Sequence, residues 1–189
     1  MPKPNDPRQT APQCKDLRPV KVLHRNPWFT VRNRGGYFTV EYNAPQVAVL
    51  PIVDDRAIVM VRVKRPVIND ATLELSAGGV KAGETFREAA RRELAEKAGI
   101  RVRSLRRFTP LLPLAISSSR YPVLPYLFQV HLSEHEFRQR QPHDAEIVSV
   151  ECFPFAELKK RIDRAEIYVS LPLAIFGRFL LARRMSQSL

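Results

Sequence analysis

One short segment, residues 78–100, constrains the fold of this chain more than any other. It reads GGVKAGETFREAARRELAEKAGI, with glycines at both ends and charged residues between them. Thr85 and Glu88 have the spacing of a capping box, in which each side chain accepts a hydrogen bond from the other residue's backbone amide. Gly99 can adopt the left-handed conformation that ends a helix. The segment therefore predicts a helix over residues 86–98 that follows a glycine-rich loop.

The charged face of this predicted helix permits two interpretations. Because successive residues turn by about 100°, Glu93, Glu96 and Lys97 share one side. The first interpretation is ion pairing at i,i+4, between Arg92 and Glu96 and between Glu93 and Lys97. The second is a divalent cation site that holds phosphates, since Mg²⁺ takes oxygen ligands and keeps several waters. The glycines before the helix would let a ligand approach closely.

The rest of the chain divides into strand-like and helix-like segments. Strands are predicted for VKVLHR, WFTVRN, YFTVEY, QVAVLPIV, AIVMVRVKR, TLELS and EIVSVECF. Two segments are predicted to be extended, VRSLRRFTPLLPLA and YPVLPYLFQVHL, and SEHEFRQRQPHDAE is predicted to be a surface loop. FAELKKRIDR and SLPLAIFGRFLLARRM have helical spacing. This order predicts an α/β (α+β) fold, with a mixed sheet, helices on both sides and an N-terminal antiparallel β add-on.

Composition excludes some classes of protein. The longest apolar run, SLPLAIFGRFLLA, is interrupted by Arg178 well short of a membrane span, and the polar N-terminus is not a secretory signal. Cys14 and Cys152 indicate neither a disulfide framework nor a zinc site. We therefore expect a cytoplasmic protein without membrane association.

The formal net charge of +12 also has two interpretations. It is typical of a protein with a polyanionic partner, either nucleotide phosphates or nucleic acid, and it equally fits a solvated basic surface. The basic residues are spread over the whole chain, so a dedicated nucleic-acid arm is not indicated. A nucleic-acid partner is therefore not expected.

Residues 78–100 resemble the Nudix box. Gly78 is followed after five residues by Glu84, and after seven more by Arg92-Glu93-Leu94-Ala95-Glu96-Lys97-Ala98-Gly99-Ile100. The pattern of that family ends Arg-Glu-aliphatic-any-Glu-Glu-any-Gly-aliphatic, and Lys97 is the one departure. VAVLPIVDDRAIVMVRVKRP followed by LELSAGG is similar to the ADP-ribose pyrophosphatase branch. The resemblance covers about residues 20–165.

The resemblance implies a Nudix-type α/β/α sandwich. We expect a flexible tail over residues 1–17, an N-terminal β subdomain over 18–45 and a Nudix hydrolase domain over 46–189. Related enzymes form dimers through their N-terminal strands, which implies a homodimer here.

The resemblance also assigns roles within the box. Glu93 and Glu96 would bind Mg²⁺ or Mn²⁺ together with the carbonyl of Ala77, and both glutamates would thereby take part in catalysis. Arg92 would brace the loop and helix through Glu84. Gly78 and Gly99 would serve as structural positions of the motif.

Residues outside the box receive substrate roles. Arg65 would contact the substrate phosphates. Glu146, in the late segment HDAEIVSV, would be the catalytic base, with Asp144 as its rival. Trp28 would stack on the base of a nucleotide or simply pack within its strand.

Lys97 places an ammonium where the family has a metal-binding glutamate. Two unit charges 4 Å apart interact by about 4 kcal/mol at an effective dielectric constant near 20, so the lysine would weaken cation binding. Three outcomes stay open: Lys97 extends to water, it holds a substrate phosphate directly, or it abolishes hydrolysis. The segment LLPLAISSSRYPV also lacks the glycine and the acid that the pyrophosphatase branch has there.

Three functions follow from these observations. The first is hydrolysis of a nucleoside diphosphate linked to another group, such as ADP-ribose or a related nucleotide sugar, to a nucleoside monophosphate and a phosphorylated product. The second is a catalytically impaired Nudix module that binds a nucleotide or a protein partner. The third, prompted only by the net charge, is an RNA-associated protein.

Overall fold

Ten strands and four helices form the described part of the chain, which comprises Asp6, Gln9 and residues 15–141 and 144–187 of a computed structural model. The strands are β1 (Val20–Arg25), β2 (Phe29–Arg34), β3 (Tyr37–Tyr42), β4 (Gln46–Val53), β5 (Ala57–Arg65), β6 (Asp70–Glu74), β7 (Ser76–Gly79), β8 (Thr109–Pro110), β9 (Tyr126–Leu132) and β10 (Ile147–Pro154). The helices are α1 (Phe86–Ala98), α2 (Glu134–Arg138), α3 (Phe155–Asp163) and α4 (Ser170–Gln187).

The strands form two separate sheets. The first three strands make an antiparallel sheet in the order β1-β2-β3. The other seven make a mixed sheet in the order β10-β5-β4-β9-β8, with β6 paired to β5 and β7 paired to β4. Within this sheet β4 and β9 run parallel, and the remaining pairs are antiparallel. The predicted fold class, a mixed sheet with an N-terminal antiparallel add-on, is confirmed.

Helices cover both faces of the mixed sheet, which explains the nearly continuous apolar sequence of β4 and β5. Alternate residues of β4 point to opposite faces. Val47 and Val49 pack in the cluster that contains Leu94 of α1. Leu50 packs in the other cluster, which contains Leu158 of α3. The central strands are therefore buried on both sides, as an α/β/α sandwich requires.

The start and end of α1 agree with the sequence prediction. Its N-cap, Thr85, accepts a hydrogen bond from the Glu88 amide at 3.3 Å, and the Glu88 carboxylate accepts one from the Thr85 amide at 2.8 Å. Gly99 follows the helix with φ of 69°, in the left-handed region. The helix therefore lies at residues 86–98, as its caps predict.

Three local predictions were wrong. The segment predicted as a surface loop contains α2, which begins after Ser133 with a second capping box to Glu136. Gly78 and Gly79 belong to β7 and not to an open loop, because this segment pairs with β4. Residues Leu105–Arg107, predicted to be extended, form a 3-10 turn.

One described residue of the N-terminal segment, Gln9, packs against the rest of the domain. Gln9 is buried, and its side-chain amide donates to the Pro125 carbonyl at 3.1 Å.

Cys152 lies on β10 with a free thiol, whereas Cys14 is outside the described residues. Among the helices of the described residues, none is long and apolar enough to cross a membrane.

The three-stranded sheet leaves apolar side chains exposed. They are Val20, Val22, Leu23, Trp28, Tyr37, Phe38 and Tyr42. The predicted homodimer contact would fall on this sheet, and it stays a prediction.

Gly99 provides a test of how α1 is joined to the rest of the domain. A Cβ added at Gly99 would lie 1.9 Å from the Gln141 carbonyl oxygen, and the backbone already has a positive φ. We expect Gly99→Ala to lower the free energy of unfolding by at least about 1 kcal/mol, measured by urea denaturation. Gly177→Ala is the matched control, because nothing lies within 4 Å of the added Cβ in α4. It should stabilise the protein by about 0.5–1 kcal/mol. Equal midpoints for the two variants would contradict this account.

Candidate active site

A single guanidinium, that of Arg92, connects the parts of the candidate site. Its Nε and Nη2 donate to the two carboxylate oxygens of Glu84 at 2.7 and 2.9 Å. Nη2 also donates to the Gly79 carbonyl at 2.7 Å. Nη1 donates to Glu93 at 2.7 Å and to Glu96 at 2.9 Å. One side chain, Arg92, therefore contacts the segment before α1, the end of β7 and both acids of the helix.

The contact between Arg92 and Glu84 is the one through which the resemblance expects the loop and helix to be braced. Hydrogen bonds from Arg92 lower the pKa of Glu84 to about 2, aided by the backbone amide of Lys81. The Glu84 contact also raises the pKa of Arg92. Both groups therefore stay charged at any physiological pH.

Glu93 is buried against a glycine. Its side chain is 5% exposed, and a Cβ added at Gly78 would lie 2.3 Å from the Glu93 carboxylate. A side chain at position 78 would have to displace the Glu93 carboxylate from its place against β7. Burial raises the pKa of Glu93, and the hydrogen bond from Arg92 opposes this shift. Gly78 thus leaves the space that the carboxylate occupies.

Glu96 lies nearer to solvent, with 36% of its side chain exposed. In addition to Arg92, the ammonium of Lys81 contacts it at 3.3 Å. Arg92 and Lys81 therefore bring two positive charges to the three carboxylates of Glu84, Glu93 and Glu96, and the cluster keeps a formal charge of −1.

The residues present can be tested against a divalent cation. Among the described residues, no three His, Cys, Asp or Glu side chains are grouped to hold a metal ion. Mg²⁺ commonly binds through one or two carboxylates plus substrate phosphates and keeps several waters. Glu93 and Glu96 meet that smaller requirement, and Ala77 precedes Gly78 in β7. The donor set fits a cation that is shared between protein and substrate.

Lys97 does not form the i,i+4 pair with Glu93 considered from the sequence. Its ammonium donates to Asp144 at 3.0 Å and also to Glu146, and its side chain is 19% exposed. Of the three outcomes that the sequence leaves open for Lys97, extension to water is not the one observed, because the ammonium is paired with two carboxylates. Although burial opposes the charge, the hydrogen bonds to Glu146 and Asp144 raise the pKa of Lys97.

The backbone holds the segment with these two acids against α1. The Asp144 amide donates to the Glu96 carbonyl at 3.0 Å, and the Gln141 amide donates to the Gly99 carbonyl at 2.8 Å. On the other side, the Lys64 amide donates to the Glu146 carbonyl at 3.0 Å. Both candidate bases thus lie beside the end of α1.

Arg65 has a carboxylate partner that sequence reasoning missed. Its Nε and Nη2 donate to Glu74 on the neighbouring strand at 2.7 and 2.8 Å, and this contact raises the pKa of Arg65. The sequence predicts TLELS to be one strand, whereas in the structure Glu74 ends β6 and Ser76 begins β7. Glu146 and Tyr42 also interact electrostatically with Arg65. The charge of Arg65 therefore acts on the candidate base as well as on Glu74.

An aromatic cleft lies next to the box, but Trp28 does not line it. Trp28 is 73% exposed. Instead, the rings of Tyr42 and Tyr121 stack with centroids 5.9 Å apart and an interplanar angle of 14°. They line a cleft of about 140 Å³ together with Gln46, whose side chain borders Gly79. Sequence reasoning missed Tyr121 because no local pattern places it opposite β3.

Comparison with known proteins assigns the family. The NUDIX domain model matches residues 43–171, from just before β4 to the first turn of α4. The chain therefore belongs to the Nudix family, a family of hydrolases. The match leaves β1 to β3 outside it. No curated protein matches the chain.

The contact between Arg92 and Glu84 predicts a pH-dependent contribution to stability. Since the folded pKa of Glu84 is about 2 and its ordinary value is 4.5, the contribution is complete above 4.5 and is lost as the pH falls towards 2. We expect Glu84→Gln to lower the free energy of unfolding by about 1 kcal/mol at neutral pH. The difference from wild type should shrink on acidification, in denaturant titrations across this range.

Glu134→Gln is the matched control for this measurement, because Glu134 pairs with Arg138 within one exposed turn of α2. Its loss should be below about 0.5 kcal/mol. A Glu84→Gln difference that grows on acidification would contradict the assignment.

Proposed function

We propose that this chain hydrolyses the diphosphate of a nucleoside diphosphate linked to another group, with ADP-ribose or a related nucleotide sugar as the substrate. The products are a nucleoside monophosphate and a phosphorylated second group. Membership of the Nudix family supports hydrolysis. The observation that carries the proposal is the pair of acids, Glu93 and Glu96, that Arg92 holds beside Gly78.

Mg²⁺ or Mn²⁺ would be held by Glu93, Glu96 and the carbonyl of Ala77. The cation supplies positive charge to the phosphate oxygens when it is bound. The chain prepares this site in two ways. Gly78 lets the Glu93 carboxylate approach β7, and Arg92 fixes the direction of both acids.

Lys97 takes part by exchanging partners. A general base must accept a proton, and an ammonium in contact with a carboxylate disfavours its protonation. We therefore assign Lys97 a move from Glu146 to a phosphate oxygen when the substrate binds. Glu146 then accepts the proton of the attacking water while the oxygen of that water bonds to phosphorus and the diphosphate P–O bond breaks. Asp144 stays available as the second partner of Lys97.

The cleft that Tyr42 and Tyr121 line supports a nucleoside as one half of the substrate. Flat rings stack on the faces of tyrosine side chains. The charge of Arg65 interacts with Tyr42, which lines the cleft, and with Glu146, the candidate base. A base in the cleft would leave the diphosphate between Arg65 and the box.

The second candidate function is a nucleotide-binding module without turnover. Lys97 favours it, because its ion pairs occupy both acids that could act as the base. In this case the box would keep its shape through Arg92 but would perform no hydrolysis.

Turnover by wild type and by variants at position 97 separates the two functions. With ADP-ribose and Mg²⁺ or Mn²⁺, we expect wild type to release AMP and EDTA to stop it. Lys97→Met should lower kcat/KM by about tenfold to a hundredfold, as expected for a lost hydrogen bond to a charged group. Glu96→Gln should lower it at least as far. The experiment is chromatographic detection of AMP.

The opposite pattern identifies the binding module. Wild type would then release no AMP at high enzyme concentration, calorimetry would still detect nucleotide binding, and Lys97→Glu would gain turnover. That result would reject the hydrolase for the native chain.

The cleft predicts a separate effect on substrate affinity. Tyr121→Ala should raise KM by about tenfold or more, because stacking on an aromatic side chain contributes about 1–3 kcal/mol per base, and kcat should change little. Trp28→Ala is the matched control and should leave both constants unchanged. If Trp28→Ala raised KM and Tyr121→Ala did not, the base would stack on Trp28, which is the role considered for it from the sequence.

A further inference from the structure

Five arginines gather on the flank of α1 that faces away from Glu93. We call them the arginine surface: Arg87, Arg91, Arg101, Arg103 and Arg106. Two of them belong to α1 and three to the segment that follows it.

Hydrogen bonds hold the two parts of this surface together. The Arg87 Nε donates to the Phe108 carbonyl at 3.1 Å, and the Arg91 Nη1 donates to the Arg103 carbonyl at 3.4 Å. These two carbonyls lie on either side of Arg106 in the sequence. The helix arginines therefore lie against the segment that carries the other three.

The segment is anchored by buried apolar residues, so its arginines face outwards. Val102 is 3% exposed and Phe108 is fully buried. Arg101 and Arg103 lie on either side of Val102 and are exposed, and Arg106 is exposed in the 3-10 turn. The anchors fix the backbone and leave the guanidinium groups in solvent.

None of the five arginines forms an ion pair with a carboxylate within the described residues. Their neighbours in sequence differ, since Arg92 pairs with Glu84 and Arg107 pairs with Glu136. Glu88, which makes the capping box of α1, attracts Arg91 electrostatically but forms no ion pair with it. Unpaired like charges held close together repel, and a bound polyanion would remove this repulsion.

We propose that the arginine surface binds the phosphate backbone of nucleic acid without reading its sequence. Guanidinium groups bind phosphate oxygens in a bidentate fashion, better than ammonium groups do. Arg87 and Arg91 are about 6 Å apart along the helix axis, so they can contact separate phosphates. No exposed aromatic side chain lies among the five arginines in the described structure, so base stacking contributes nothing.

An anionic membrane fits this surface less well. Membrane-surface segments insert apolar side chains beside their basic residues. Within the described residues, no large apolar side chain is exposed between Ile68 and Leu112. The arginine surface, as far as the structure describes it, therefore has positive charge but no exposed large apolar side chain that could insert into a membrane.

The arginine surface is independent of the proposed hydrolase site. At about 100° per residue, Arg91 lies roughly 160° around α1 from Glu93. The sequence did not lead us to expect a nucleic-acid partner, because the basic residues are spread along the chain. The fold gathers five of them from two segments, and this placement changes the expectation.

Fluorescence anisotropy with a labelled RNA oligonucleotide and a labelled DNA duplex tests the proposal. We expect wild type to bind both, with log K falling linearly with log salt concentration. Arg103→Glu/Arg106→Glu should weaken binding by about tenfold or more at low salt and reduce the salt slope by about two. Neither side chain makes a hydrogen bond within the described residues, so the variant is expected to fold.

The matched control is Arg56→Glu/Arg164→Glu, which makes the same change in net charge at exposed sites elsewhere. It should bind as wild type does. The turnover of ADP-ribose should be the same in all three proteins, so failure of this proposal is distinct from failure of the hydrolase. Three outcomes would overturn the proposal: no binding by wild type, equal weakening in both variants, or binding to anionic vesicles but not to either oligonucleotide.

Discussion

The contacts of Arg92 are the interaction on which the rest of the site depends. This side chain lies on α1, but its five hydrogen bonds reach the segment before the helix, the end of β7 and two acids of its own helix. Without it, Glu93 would be a buried carboxylate with no cation in contact, which is costly in a protein interior. Arg92 therefore does more than brace a loop, because it makes the burial of Glu93 against Gly78 possible.

Lys97 pairs with acidic residues from a distant part of the chain. By the resemblance of residues 78–100 to the Nudix box, a glutamate would stand at this point of the helix, and the lysine reverses its charge. Asp144 and Glu146, almost fifty residues later, surround that charge with carboxylates. The lysine thereby joins α1 to the segment before β10, in addition to the backbone hydrogen bonds that Asp144 and Gln141 make there. The same contacts place the two candidate bases beside the box. Lys97 therefore holds two carboxylates at the candidate site.

Local signals explain which features could be predicted from the sequence. The helix α1 was placed correctly because its caps, Thr85 and Gly99, are encoded within four residues of its ends. The same signal at Ser133 and Glu136 marks α2, but the polar residues around it were interpreted as a loop. The partners of Lys97 and the stacking of Tyr121 on Tyr42 depend on how distant segments pack, and no spacing within the chain encodes them. The family motif could supply residue types for the site, but it could not supply the ion pairs of a residue that departs from it.

The distribution of charge around α1 bears on what the net charge of +12 is for. A positive field raises the encounter rate of any small anionic substrate, and such steering works best when the charges surround the cleft. Arg65 contributes in that way, because its charge interacts with Tyr42 and Glu146. The five arginines of the arginine surface lie on the other flank of the helix, where they would draw a diphosphate away from the acids of the box. Their charge does not serve the cleft, and no carboxylate of the described chain forms an ion pair with them. A larger anion that spans several guanidinium groups is therefore the ligand that this arrangement fits best.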